Sequence, residues 1–223
     1  MNKLLSFVKL DYLTVKPYLS FKTMGIFLIV AISMSINDNS SVVIVSFIMM
    51  FALMFSSYPF AVGEKSGMDA LYATLPIKRS HVVLGRYLFF LAFDIFFGFI
   101  ACIILAGLQR IMSRVFDIKE TLLLIIVMLM IYSIVQAIQL PLYFKLGYTK
   151  AKFLVYIPLA VFPLSIGLLS PIFAEDLMPA LVVIIGWIME NQVLTAGICL
   201  ALWGMIIFTS YKLSLSFYKK RDF

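Results

Sequence analysis

The chain has 223 residues, 63% of them hydrophobic and only 13% charged, with a net charge of +7 and a mean hydropathy of +1.07. Those values exclude an ordinary soluble domain and read as an integral membrane protein. The basic surplus is expected to meet anionic lipid headgroups, and no nucleic-acid partner is expected.

The first twenty residues scatter Lys3, Lys9, Asp11 and Lys16 among apolar positions. A cleavable leader needs an uninterrupted apolar core, so none is expected. Leu4, Leu5, Val8, Tyr12 and Val15 share one helical face with the lysines largely off it. That pattern predicts a helix over 1–20 lying in the membrane interface, with Pro17 turning the chain into the bilayer.

A hydrocarbon core of about 30 Å takes about 20 helical residues to cross. Six apolar stretches are predicted to do so, at residues 22–36, 41–63, 82–107, 121–144, 153–173 and 193–211. The first reaches full length only if residues 17–21 join it and Lys22 snorkels to the interface. Near the end of the second, Ser56, Ser57 and Tyr58 precede Pro59, whose missing donor is expected to bend the helix.

Residues 64–80 follow. Met68, Leu71, Tyr72 and Leu75 are spaced 3, 1 and 3 apart and so fall on one helical face. Ser66 or Gly67 can start this helix and Pro76 can end it. Its apolar face must be buried on lipid headgroups or on a protein partner, and periodicity does not choose between them.

In the third span Asp94 lies eight positions beyond Arg86, roughly 12 Å along the axis. An ionisable group at that depth costs about 2.5 to 3.5 kcal/mol and needs a cavity or a partner. It reads either as part of a transport path or as a carboxyl satisfied by a hydroxyl or amide of a neighbouring span. Gly98, Cys102 and Ala106 have the small-residue spacing that permits close helix approach. Tyr132, Gln136, Gln139 and Tyr143 form a polar stripe on the fourth span, suited to interhelical bonding or to lining a pathway.

Pro158, Pro163, Pro171 and Gly167 predict a kinked fifth span. After it, Glu175, Asp176 and Pro179 precede an apolar run over 180–189 that is too short to cross. Residues 174–192 are therefore expected to be an extracellular re-entrant segment. Cys102 and Cys199 both lie within predicted spans and read as small packing residues, not a disulfide or a metal site. His81 is the single histidine, which leaves an intramembrane protease without its catalytic pair or metal cluster.

With the N-terminus inside, fifteen of the eighteen Lys and Arg residues fall on the inner side, and only Arg110, Arg114 and Lys119 fall outside. The positive-inside rule then places both termini in the cytoplasm. Short connections and the absence of an internal repeat make residues 1–223 a single all-α membrane domain.

The series Glu64, Gly67, Leu75-Pro76 and Arg79, followed by Gly85-Arg86-Tyr87, resembles the membrane subunits of type II, or ABC-2, exporters. Within them it is similar to the permeases of phenol-soluble-modulin peptide exporters of Gram-positive bacteria. The whole architecture takes part in the resemblance: interfacial helix, six spans, cytoplasmic helix after span two and re-entry before span six.

The resemblance implies that residues 64–80 couple the permease to a separate ATPase subunit, through Glu64, Gly67, Met68, Leu71, Tyr72, Leu75, Pro76 and Arg79. It implies a pair of permeases, identical or paralogous, with spans one and five at the seam, in a bacterial cytoplasmic membrane. The cargo would be amphipathic, such as cytolytic or antimicrobial peptides. Asp94, Gln136, Gln139 and Tyr143 would line the path or tie helices together. No G-x-x-x-x-G-K-[ST] sequence occurs here, so the chain itself is not expected to be an enzyme or to hold a cofactor; ATP and Mg would be bound by the partner. The rival reading is a stand-alone secondary transporter or an immunity-type membrane protein using Asp94 as a proton site.

Overall fold

The computed structural model describes residues 3–18, 22, 25, 29, 33, 41–67, 78–111, 117–153 and 190–220. All regular structure among them is helical. Helix α1 spans Lys3–Val15 and ends in a 3₁₀ turn at Lys16–Tyr18. It is followed by α2 (Ser41–Ser56), α3 (Tyr58–Lys65), α4 (Arg79–Ile111), α5 (Ile118–Leu146) and α6 (Gln192–Lys220).

Four stretches are long and apolar enough to cross a membrane: Ser41–Lys65, Arg79–Ile111, Ile118–Leu146 and Gln192–Lys220. They correspond to the second, third, fourth and sixth expected spans. Apart from a few positions, the stretches expected at 22–36, 153–173 and 174–192 lie outside the described residues.

The second span is bent where the sequence indicates. Pro59 cannot donate to the carbonyl one turn back, and the chain tightens at Ser57, whose N–H reaches Met54 O at 3.2 Å. The adjoining hydroxyls turn back onto the same turn: Ser57 Oγ donates to Met54 O at 2.7 Å and Ser56 Oγ to Leu53 O at 2.8 Å.

Helix α4 is the hub, packing on α1, α2, α5 and α6. Lipid tails are as apolar as phenylalanine, so burial alone gives helices little reason to associate in a membrane; packing and hydrogen bonds must do it. Rings supply the packing. Phe89, Phe93 and Phe97 follow one another along α4 with centroids 5.0 and 5.2 Å apart. Phe144 of α5 meets Phe60 edge-on at 5.0 Å and Tyr218 of α6 at 5.3 Å. At Gly98 an added Cβ would sit 3.2 Å from Ile125 Cγ2 and 3.4 Å from Met49 Cε, so α2 and α5 both approach α4 there. The close face continues through buried Ala101 and Leu105, whereas Cys102 and Ala106 are only half-buried.

Hydrogen bonds provide the rest. Pro141 lies inside α5 and leaves the carbonyl of Ala137 without its helical donor. Ser210 of α6 donates to that carbonyl. Its hydrogen being spent there, the Tyr87 hydroxyl must donate to Ser210 Oγ (2.6 Å) and accept from Ser214 Oγ (2.8 Å). A proline-made vacancy on α5 thus pins α4 and α6 together. Trp203 Nε1 adds a second tie between α5 and α6, donating to Ser133 Oγ at 2.6 Å.

Two features go beyond the expected spans. The helix that holds the sixth expected span, 193–211, continues to Lys220. Its 29 residues extend roughly 43 Å, beyond the hydrocarbon core, because Tyr218 is buried on Phe144 and the final carbonyls are bonded to Arg79.

Helix α1 seats one side on α4. Phe7, Asp11 and Val15 are buried, whereas Val8 is half-buried and Tyr12 exposed. The cause is Arg86, which pairs with Asp11 and draws that side of α1 onto α4. Gly85 permits the approach: an added Cβ would come within 2.9 Å of Phe7 Cβ. Since Phe7 Cβ is fixed to the α1 backbone, the helices would have to separate. Gly85→Ala is expected to cost about 1 to 3 kcal/mol and to lower the melting temperature of the detergent-solubilised protein, whereas the same change at Gly107, with open space around it, should not.

Candidate functional site

Among the described residues, contacts gather the candidate coupling positions at the end of the bundle that carries Lys65, Arg79, Lys145 and Lys219. Helix α3 runs into Gly67, whose φ of 65° lies in the left-handed region that only glycine adopts freely. One turn earlier, Glu64 Oε2 accepts the backbone N–H of Thr149 at 3.0 Å. There α5 has ended at Gly147 (φ 78°) and residues 148–153 begin another helical stretch. The carboxylate therefore meets a free donor in the first turn of a helix, the location that favours negative charge.

Arg79 plays the complementary part. Its Nη1 donates to the carbonyls of Tyr218 (3.2 Å) and Lys219 (2.7 Å), matching a cation to the carbonyl end of α6. The connection between α3 and α4 is thus tied on both sides: Glu64 to the chain after α5, Arg79 to the end of α6. Met68, Leu71, Tyr72, Leu75 and Pro76 lie outside the described residues.

Arg86 extends this network to α1. Its Nε is 3.3 Å from Asp11 Oδ2, with both side chains almost wholly buried, and its guanidinium lies 4.5 Å above the Phe60 ring. Burial pushes the Asp11 carboxyl up to about 6, and the positive charge of Arg86 offsets part of that rise. Arg86 Nη1 has no hydrogen-bond partner among the described residues. Gly63 of α3 lies beside the guanidinium, where an added Cβ would make ordinary contact with Nη2 at 3.8 Å. The sequence placed Arg86 beside the candidate motif, but not Asp11 opposite it. One acidic group interrupting the arc of a lysine-bearing amphipathic helix was the available signal.

Deeper in the bundle, Asp94 is fully buried and accepts a hydrogen bond at Oδ1 from Gln136 Nε2 at 2.9 Å. The same amide nitrogen lies 3.5 Å from Ser56 Oγ, the far limit of a hydrogen bond. One contact therefore joins α4, α5 and the bend of α2. Asp94 Oδ2 and Gln139 Nε2 have no partner among the described residues.

The rest of the polar stripe diverges. Tyr132 donates to Ser46 O at 2.9 Å, tying α5 to α2. Tyr143 is buried with its ring 5.1 Å from Phe60 and 5.7 Å from Tyr148. The amide on a neighbouring span, one of the two readings of Asp94, is thus present as Gln136. Of the four residues of the stripe, Tyr132 and Gln136 tie α5 to α2 and α4.

At the basic end α1 is paired with α4, α4 with the end of α6, and α3 with the chain after α5, and this end holds both described flanks of residues 68–77. No group of three or more His, Cys, Asp or Glu residues able to hold a metal occurs among the described residues. No curated protein and no solved structure matches the chain. A family model described as ABC-2 family transporter protein matches residues 6–219, from α1 almost to the end of α6. A multi-pass helical membrane protein matched over nearly its whole length, this chain belongs to the ABC-2 family of transporter proteins.

Proposed function

We propose that this protein is the membrane-spanning permease subunit of an ATP-driven exporter of amphipathic substrates, with peptides such as cytolytic toxins or antimicrobial peptides as the cargo, and that a separate subunit hydrolyses ATP. Family membership carries the first part of this reading. The observation that supports coupling is the pair of contacts that flank residues 68–77, Glu64 on Thr149 and Arg79 on the end of α6. A push on that connection would be delivered to α3, α4 and α6 together instead of bending a loose loop.

In this reading the chain crosses a bacterial cytoplasmic membrane six times, with both termini in the cytoplasm, and ATP and Mg are held by the partner. Two permeases, identical or paralogous, pair with two ATPase subunits, because a two-fold ATPase presents two docking clefts. Residues 174–192 form a re-entrant extracellular segment. Asp94 and Gln136 link the moving helices.

Two measurements test the proposal. External cysteine labelling should modify a Ser113→Cys variant and spare Ser66→Cys, since fifteen of eighteen basic residues lie on the side of Ser66; the reverse pattern would overturn the topology. Mass measurement of the solubilised complex should return two permeases and two ATPase subunits, and amphipathic peptides should stimulate its ATP hydrolysis. A permease that transports in the absence of any ATPase would establish the alternative, a stand-alone secondary transporter.

A further inference from the structure

A groove of about 420 Å³ lies between α1 and α4, within the size range of sites that hold small organic molecules. Val8, Lys9 and Tyr12 of α1 and Ala92, Phe93 and Phe96 of α4 line it. The groove opens outward: Tyr12 and Phe96 are 46% and 55% exposed, and Ala92 and Lys9 are exposed as well. Ala92 and Phe96 lie on the side of α4 opposite buried Asp94, two residues away from each, so the groove faces away from the polar contacts inside the bundle.

Its lining follows α4, one of the helices long and apolar enough to cross a membrane. From Phe89, near the Arg86 end, to Phe96 is roughly 10 Å along α4 toward the middle of the span. Lys9 stands on the short helix held at that end by Asp11 and Arg86. Asp11 does not offset the charge of Lys9, because it is turned into α4 and paired with Arg86. A basic side chain on an interfacial helix beside an aromatic groove on a spanning helix suits an amphipathic anion in both charge and polarity.

We propose that this groove binds an anionic phospholipid, one acyl chain lying along Phe93 and Phe96 and the headgroup phosphate held by Lys9. The lipid would fill the space between α1 and α4 and make the seating of α1 depend on the anionic content of the membrane. The inference rests on the membrane placement of the chain and not on any partner ATPase or cargo.

The test uses the full chain in nanodiscs of equimolar phosphatidylglycerol and phosphatidylcholine, with one or the other lipid carrying a photoreactive acyl chain and the cross-linked peptides mapped by mass spectrometry. Phosphatidylglycerol should concentrate on residues 8–12 and 89–96, about fivefold above phosphatidylcholine, as expected for one basic side chain at an anionic surface. Lys9→Gln should bring the two lipids level, and Ala92→Trp should displace both. Lys16→Gln, on the turn just after α1 and outside the groove, should change neither. Equal labelling by the two lipids in the wild type, labelling spread evenly over α4, α5 and α6, or a Lys16→Gln effect as large as that of Lys9→Gln would each overturn the proposal. The wild-type map needs no variant and decides on its own whether the groove is a site.

Discussion

Arg86→Met should release α1 from α4 and destabilise the protein by about 3 to 5 kcal/mol, the usual cost of removing one member of a buried ion pair. Asp11 and Arg86 are 2% and 4% exposed, so water cannot replace the lost partner. The Phe60 ring under the guanidinium would lose its cation as well. The Asp11→Asn, Arg86→Met double variant should recover most of the loss, because the expense lies in the carboxylate left alone and not in the absence of the pair. Melting of the detergent-solubilised protein measures both. A double variant no more stable than Arg86→Met would show that packing around Arg86, not charge, holds α1 in place.

The same pair sets a pH dependence. The Asp11 carboxyl titrates at about 6 in the folded protein against 3.8 for an unperturbed group, so the folded state binds the extra proton between those values. Its contribution is fully present below about pH 4 and is lost as pH rises through about 6, a change on the order of 3 kcal/mol at 1.36 kcal/mol per pH unit. Stability should therefore decline from about pH 4 to about 6 and then level off, and Asp11→Asn should flatten the decline. A profile unchanged by Asp11→Asn would assign the titration to another group.

Asp11 also marks the limit of what the sequence makes legible. Four spans follow from apolar length alone, and the bend before Pro59 follows from one missing N–H. Neither depends on what the helix packs against. The side of α1 that meets α4 does depend on it, because Asp11 pairs with a single distant arginine that periodicity cannot locate. The end of α6 was hidden for a related reason: the apolar run stops at Tyr211, but the helix continues where Arg79 bonds its carbonyls. The Tyr87, Ser210 and Ser214 chain had no signature in any single helix. Its origin is the carbonyl freed by Pro141, and hydroxyls from two other helices had to come into register with it. Gln136 was legible as a polar group at membrane depth, whereas its pairing with Asp94 required the α4 and α5 register.

Leu71→Asp should remove the ATPase from the purified complex while leaving the permease inserted. Met68, Leu71, Tyr72 and Leu75 present one apolar face if residues 68–75 are helical, and Leu71 is central to that face. Seated in a cleft of the proposed partner, an aspartate there would be a buried carboxylate with no counter-charge, which costs several kcal/mol. At about 1.4 kcal/mol per tenfold, a loss of about 3 kcal/mol is already more than a hundredfold in Kd. Asp94→Asn provides the contrast. Its site is buried among α2, α4 and α5 and keeps an oxygen for Gln136 to donate to, so recruitment should remain intact and any change should be confined to transport or to substrate-stimulated hydrolysis. Co-purification with a tagged ATPase separates the two outcomes. If a correctly inserted Leu71→Asp permease recovers the ATPase in full, the apolar face rests on lipid headgroups and the coupling surface must lie elsewhere on the basic end.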